Sequence, residues 1–301
     1  MSDINRCWFD AILTIPFSGT LSNYSTPTPR SRYVRVLSIL FHLSSRTSAY
    51  YPEGTTNKGH TMSETPRIKH NYGKINKEYG MFLATRPPEE DGPIYMVNLM
   101  KYHEVAQYLD EAGVDKEISG READDRYNPA KVLNKIGADI VFAGDVVKSH
   151  VGTEDWDRIA VVRYATRKSF IDMQSRPDFG EKHVHKAAGM QRTIIVGCRP
   201  ENEAIDKNGR PDGALSKIVV MVVRQTPDRT AAFAAIPGAA NYTAEGTIIG
   251  DERRWDTVQF LVVDSEEAAT AAASQLKGCD AGSSFVMTLR VSLDAMTSVM
   301  Q

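Results

Sequence analysis

The sequence predicts an α+β fold made of two similar units in one chain, each a four-stranded antiparallel sheet carrying both of its helices on one face. Three observations predict it. Segments of strand and helix character run as strand, helix, strand, strand, helix, strand between Ile94 and Val196, and the same order returns between Lys217 and Leu293. A Trp-Asp pair heads a strand in each run, Trp156-Asp157 and Trp255-Asp256. The third observation is physical: a sheet with helices on one side leaves an apolar face bare, and two such sheets in one chain can cover each other. Packing sheet against sheet makes an intramolecular barrel, with the space between the sheets as the natural ligand site.

In chain order, residues 1–61 are rich in Ser, Thr and Arg, poor in acids and broken by Pro27 and Pro29, and are expected to be poorly ordered. Three readings of them are open: residues translated ahead of a natural start at Met62, an ordered extension, or an organellar transit peptide. Residues 62–92 read as a polar lead-in, 93–199 as the first unit, 200–216 as a linker around the turn-rich KNGRPDG, and 217–301 as the second unit.

Ile94–Tyr102, IYMVNLMKY, is an apolar strand with a single amide, Asn98, inside it. In the charge-rich stretch that follows, Val105, Tyr108 and Leu109 suggest one short helix, and Tyr127, Val132, Leu133 and Ile136 a second, with a break at Gly113 and Gly120. Gly137 caps the second helix, and Asp139–Val147 is a strand with Gly144 at a bulge. Arg158–Tyr164 is a third strand, and Thr166 is an N-cap for a helix carrying Phe170, Ile171 and Met173. Arg176-Pro177 stops that helix, and Pro177 opens the next, on which Phe179, His183, Ala187 and Met190 share a face. Thr193–Val196 closes the first unit. In the second unit Lys217–Gln225 is a strand, Thr226–Asn241 an Ala-rich helix and Thr247–Gly250 a short strand. A strand and helix follow Trp255, and Ser284–Leu293 is the last strand.

The 301 residues are 42% hydrophobic with a net charge of −2, which gives no electrostatic case for nucleic acid or an anionic membrane surface. The longest apolar run, near Val34–Leu43, is interrupted by Arg35, Ser38 and His42 and falls short of the roughly 20 residues that span a bilayer. Three scattered cysteines, Cys7, Cys198 and Cys279, fit a reducing compartment with no disulfide framework and no zinc spacing, so a cytoplasmic location is expected.

Four segments carry a resemblance: VNLMKY at Val97–Tyr102, READDRYNPAKVLNKIGADIVFAGDV at Arg121–Val146, WDRIAVVRY at Trp156–Tyr164 and SRPDFGEKHVHKAAGMQRTIIV at Ser175–Val196. Together they resemble the dimeric α/β-barrel superfamily, and within it the branch catalogued as domain of unknown function 1330. The match covers about Ile94–Val196, and Lys217–Val291 more by architecture than by motif. The resemblance implies two ferredoxin-like units in tandem, their sheets packed face to face as an intramolecular dimeric α/β barrel. The chain would be a monomer with an internal pseudo-dimer, or a homodimer. Relatives of the superfamily include cofactor-free monooxygenases, muconolactone-isomerase-like enzymes, polyketide cyclases and haem proteins of the chlorite-dismutase kind. His185-Lys186 departs from the family's commoner His-Arg. A haem reading ranks third, because the second half has no histidine to serve as a proximal ligand.

Chemistry is expected in the first half, since Val222 stands opposite Asn98 and Gln225 opposite Lys101 when the first strands are aligned. Asn98 is a candidate anchor for a carbonyl or enolate, or else satisfies a neighbouring loop; an unpartnered buried amide costs about 1–3 kcal/mol. His183, on the apolar face, is a candidate general base or a satisfied core residue. Tyr102 is a candidate catalytic phenol and, with Tyr127, a candidate wall of the pocket mouth, or part of helix-to-sheet packing. Arg158 and Arg163 lie on opposite faces of one strand, so one of them at most reaches a cavity; with Lys101 they are candidates for an acidic ligand. His185, the remaining candidate for substrate binding, points away from His183 by about 200° and otherwise reads as a surface or partner-face residue, which makes the two a poor metal pair.

Two classes follow. One is a small-molecule enzyme without metal or cofactor, an isomerase, cyclase or cofactor-independent monooxygenase acting on an aromatic or polyketide-like substrate. The other is a non-catalytic small-ligand-binding or stress-associated protein. No glycine-rich phosphate loop points to a nucleotide. The two-unit reading predicts that a chain starting at Met62 melts as the whole chain does, and that cutting within 200–216 leaves two insoluble halves. Two soluble, monomeric halves by size-exclusion chromatography would overturn the intramolecular barrel.

Overall fold

Eight of the nine strands among the described residues close into one antiparallel cylinder, as seen in a computed structural model that describes residues 72–109, 117–201, 217–226 and 236–296. In order, the elements are β1 (Lys74–Ile75), α1 (Lys77–Thr85), β2 (Ile94–Tyr102), α2 (Gly120–Tyr127), α3 (Ala130–Lys135), β3 (Asp139–Val151), β4 (Arg158–Tyr164), α4 (Arg167–Gln174), α5 (Pro177–Gly189), β5 (Met190–Pro200), β6 (Lys217–Arg224), β7 (Ala240–Gly250), β8 (Thr257–Val263), α6 (Glu266–Gln275) and β9 (Ser284–Asp294). Hydrogen-bonded neighbours run β7-β5-β2-β4-β3-β9-β6-β8, and β8 returns to β7, with β1 added to the outer part of β7.

This corrects the expected arrangement. The chain does not form two ferredoxin-like units with separate sheets packed face to face; it forms a single eight-stranded β-barrel with few helices. The halves meet edge to edge, through backbone hydrogen bonds of β3 with β9 and of β5 with β7. The physical reason lies in the strand edges. β3 and β7 extend to 13 and 11 residues, well past the expected Asp139–Val147 and Thr247–Gly250, and bulges curve them around the cylinder. A closed sheet leaves no unpaired edge.

Closure also decides what fills the centre. An eight-stranded barrel is just wide enough for its inward side chains to meet, and here the inward residues are large. Tyr95 and Tyr242 lie with ring centroids 5.3 Å apart, Phe142 and Phe260 5.0 Å, and Trp255 and Phe285 4.7 Å, all buried. Trp156 packs edge-on against the same Phe285 at 5.7 Å. The two tryptophans are thus barrel packing, and the barrel interior, expected to hold the ligand, is core instead.

The helices lie outside. Thr166 caps α4 through a capping box with Ser169, and Pro177 opens α5, both as the sequence predicts. Two expectations fail. The stretch at Val105–Leu109 is no helix: Val105 and Leu109 are exposed, and its backbone bonds to Ile118 and the end of α5. Ala240 and Asn241, expected in a helix, open β7, while 227–235 of that helix, residues 1–61 and most of the linker lie outside the described residues.

The lead-in contributes more than expected. Asn76 caps α1 by accepting from the Tyr79 N–H at 3.0 Å, and Tyr79 lies across Gly197 and Gly246, paired neighbours on β5 and β7. A Cβ at Gly246 would stand 2.6 Å from the Tyr79 ring, so only glycine admits the helix at this distance. Tyr79 donates to Glu245 at 3.1 Å, and the same carboxylate takes two bonds at 2.9 Å from Nε of the buried Arg167, joining α1, α4 and β7. Among the described residues no helix is long and apolar enough to cross a membrane. Breaking a buried pair strands its partner charge, at about 3–5 kcal/mol. Glu245→Ala is expected near the low end, since Asp91 remains 3.7 Å from Arg167; a change under about 0.5 kcal/mol in denaturant unfolding, the range of a plain surface substitution, would show the pair to be dispensable.

Candidate functional site

Alternation along β2 sends Tyr95, Val97 and Leu99 into the barrel and Met96, Asn98 and Met100 outward, under the helices. On that outer face the row of paired residues Ile195, Asn98, Ala160 and Ala143 runs across four strands. The two alanines are too short to reach the helices above, and a trough results. Roofed by α2 to α5, it forms a cavity of about 470 Å³.

Glycines set the roof. α2 and α5 touch backbone to backbone at Gly120 and Gly189, where a Cβ on either would fall 2.3–2.4 Å from the other's carbonyl oxygen. That contact, with the His103 N–H donating to the Gly189 carbonyl at 2.9 Å, leaves Tyr127 at the end of α2 facing Phe179, His183 and Lys186 of α5. Phe170 and Met173 of α4 complete an apolar end, while Asp124, Asp125 and Arg158 stand at the polar one.

Of the residues expected from sequence, Asn98, Tyr127, Arg158 and His183 line this cavity, and Lys101, Tyr102, Arg163 and His185 do not. The Asn98 Nδ2 donates to the carbonyls of Met96 (2.9 Å) and Ala160 (3.4 Å). Its donors are therefore engaged, and Oδ1 is an acceptor with no partner among the described residues. Tyr102 donates from behind the wall to Asp124 at 2.6 Å; burial first, and that carboxylate second, hold its phenol far above the usual range. Lys101 bridges Asp155 and Asp157 at 2.9 and 3.1 Å on the outside. Arg163 is partly buried on the opposite face of β4 from Arg158. His185 bonds through Nδ1 to Tyr108 at 2.8 Å in a separate cluster, its pKa lowered by burial and then by Arg126 and Lys182.

His183 meets Tyr72, with Nε2 and Oη 2.9 Å apart, and its ring packs against Phe179 (5.6 Å) and edge-on to Tyr127 (6.5 Å). Burial raises the Tyr72 phenol well above the usual range. A phenol that keeps its proton can either donate to Nε2 or accept from it, and the tautomer of His183 decides which. Arg158 is held by Asp145 (3.0 Å) and Asp125 (2.9 Å), with Asp124 at 3.7 Å, so its charge is shared among carboxylates at the rim. Among the described residues no group of three or more His, Cys, Asp or Glu side chains could hold a metal ion.

Two residues of the site escape sequence reasoning. Tyr72 sits in a polar stretch without periodicity, and nothing local marks it. Lys186 does carry a signal: it is seven residues after Phe179, a spacing that drifts only about 20° on a helix, so it shares that residue's face. The lysine is 9% exposed, its Nζ lies 5.5 Å from the centre of the Tyr127 ring, and it makes no hydrogen bond or ion pair among the described residues. Burial lowers its pKa, partly opposed by Asp124.

No protein-family model matches the chain, that of domain of unknown function 1330 included, and no curated protein matches it. Among solved structures it is similar to RPA0582, a protein of unknown function from Rhodopseudomonas palustris, at 24% identity over 42% of this chain and 95% of that one, TM-score 0.36. A second structure of that protein, methylated, gives 24% identity, 44% and 98% coverage and TM-score 0.38. An anthrone oxidase-like protein is similar at 12% identity over 67% of this chain and 92% of that one, TM-score 0.38. The functional reading rests on the cavity itself.

The buried lysine generates a pH test. The unfolded chain keeps the ammonium proton up to the ordinary value of about 10.5, and the folded chain releases it lower. Between those two values the unfolded state binds more protons, so stability rises with pH through that window. Lys186→Met removes this dependence. It is expected to melt higher than the parent at neutral pH, with the gap narrowing as pH rises towards 10. A gap that does not change with pH in thermal melts would show that the lysine is not desolvated.

Proposed function

We propose that the cavity binds a small, largely apolar molecule with an aromatic or polyketide-like body, and that His183 moves a proton on it in an isomerisation, cyclisation or oxygenation. The observation that supports this reading is convergence: in one cavity of mostly apolar lining, the His183–Tyr72 pair, the acceptor Oδ1 of Asn98 and the Lys186 amine face the same space. Apolar pockets with a few placed polar groups are where small ligands are oriented.

The roles follow from donor and acceptor chemistry. Asn98, with both amide bonds given to the sheet, receives a hydroxyl, such as that of a phenol or enol, rather than donating to a carbonyl. His183, its ring direction set by Tyr72, takes or returns the proton. Lys186 is the donor nearest to the aromatic wall and stabilises oxygen that gains negative charge. Aromatic and apolar side chains of α4 and α5 hold the ligand body and exclude water.

Thermal shift of the full chain with phenols, naphthols and small aromatic acids tests binding. A ligand at 100 times its dissociation constant adds about 2.7 kcal/mol. Asn98→Leu and His183→Ala are expected to weaken or abolish the shift; equal shifts in all three proteins, or none, would place the ligand elsewhere. Proton chemistry is read separately, as exchange of solvent deuterium into the α-carbon of a bound aryl ketone by NMR. His183 is expected to accelerate it about 100-fold or more. Binding with no exchange above background would make the protein a ligand carrier.

A further inference from the structure

Lys186 is costly where it sits. An ammonium ion taken out of water loses several kcal/mol of hydration unless a partner restores it, and none of the described residues pairs with this one. The carboxylate that acts on it, Asp124, is committed elsewhere: it accepts the Tyr102 O–H at 2.6 Å and lies 3.7 Å from Arg158. Arg158 in turn is shared with Asp125 and Asp145. What remains is an amine in an apolar cavity, its tip against the Tyr127 ring, three residues beyond His183 on the same helix face. Such surroundings favour the neutral form, which carries a free electron pair.

We propose that Lys186 is a nucleophile that captures the carbonyl carbon of an aldehyde or ketone with an aromatic or other apolar body, forming an imine. The inference rests on the cavity being a ligand site and names the substrate class for it. The amine nitrogen bonds to the carbonyl carbon while the carbonyl oxygen takes up a proton, giving a carbinolamine. That hydroxyl then leaves as water, with a proton delivered by His183 in its imidazolium form, and the C=N bond forms. One carbonyl and one amine are consumed and one imine and one water produced, with no oxidant or reductant. The protonated imine withdraws electrons from the neighbouring C–H bond, and His183, now without its proton, can remove that hydrogen to give an enamine. This is the carbon nucleophile that isomerisation and ring closure need.

The test uses the full chain with 2-naphthaldehyde as probe, sodium cyanoborohydride as trap, and 2-naphthalenemethanol as an analogue that binds but cannot react. Intact mass and peptide mapping are expected to show one reduced adduct per chain, on the peptide that carries Lys186, formed at least tenfold faster than on any exposed lysine. It should be suppressed by the alcohol and absent from Lys186→Met and Lys186→Arg. Met keeps the apolar bulk of the side chain and Arg its length and donors, so loss in both variants, with cooperative melting at or above the parent's in the Met variant, cannot come from misfolding. If the alcohol shifts the melting temperature but the adduct spreads over surface lysines and spares Lys186, the amine is not the nucleophile and the cavity reading stands. If the alcohol neither shifts melting nor protects, and Lys186 stays unlabelled, both fall.

Discussion

Closure of the eight strands into one hydrogen-bonded cylinder is the constraint on which everything else in this protein depends. Each half of the chain supplies four neighbouring strands, and the seams, β3 with β9 and β5 with β7, are ordinary antiparallel ladders. Because the cylinder is narrow, rings from the two halves meet along its axis, and the centre becomes solid. The cavity under α2 to α5 lies on the outside, where helices stand off from the sheet, and it opens on the first half because Ala143 and Ala160 share a row with Asn98 there.

Small residues act at two places where the outer layer comes close. Gly197 and Gly246 let Tyr79 lie flat on the strands, which brings α1 and the preceding Tyr72 onto the barrel. Gly120 and Gly189 let α2 and α5 cross at backbone contact, so that Tyr127 and Lys186 face each other over the cavity. The Arg167–Glu245 pair, with Tyr79, links a helix of the first half to a strand of the second. The geometry of the site is thus held by packing at its edges as well as by the bonds of Asn98, His183 and Arg158.

Much of the secondary structure was legible in the sequence, and the reasons are local. β2 and β4 occupy the predicted residues, Thr166 caps α4, Pro177 opens α5 and Gly137 takes the left-handed conformation with φ 69°. Caps, prolines and runs of β-branched residues act within a few positions of themselves. The stretch from Val105 to Leu109 misled because its apolar spacing imitates a helix while its backbone bonds to the end of α5, more than 70 residues away. The lead-in misled for the opposite reason: a short, polar segment becomes a helix once Tyr79 and Leu83 have a sheet to pack on.

The sequence by itself determined β2 and β4, the cap of α4 and the start of α5, and that Asn98 and His183 stand on apolar faces in the half of the chain that keeps its polar residues. Only the tertiary structure decided which face looks inward. Alternation along a strand separates two faces without naming either, and a strand edge carries no record of its partner until the chain closes. The barrel therefore chose Tyr95 over Asn98 for its centre, brought Tyr72 to His183 across 111 residues, and left Lys186 without an ion pair among the described residues in a mostly apolar cavity. Those are outcomes of non-local hydrogen bonding and packing, which no local pattern encodes.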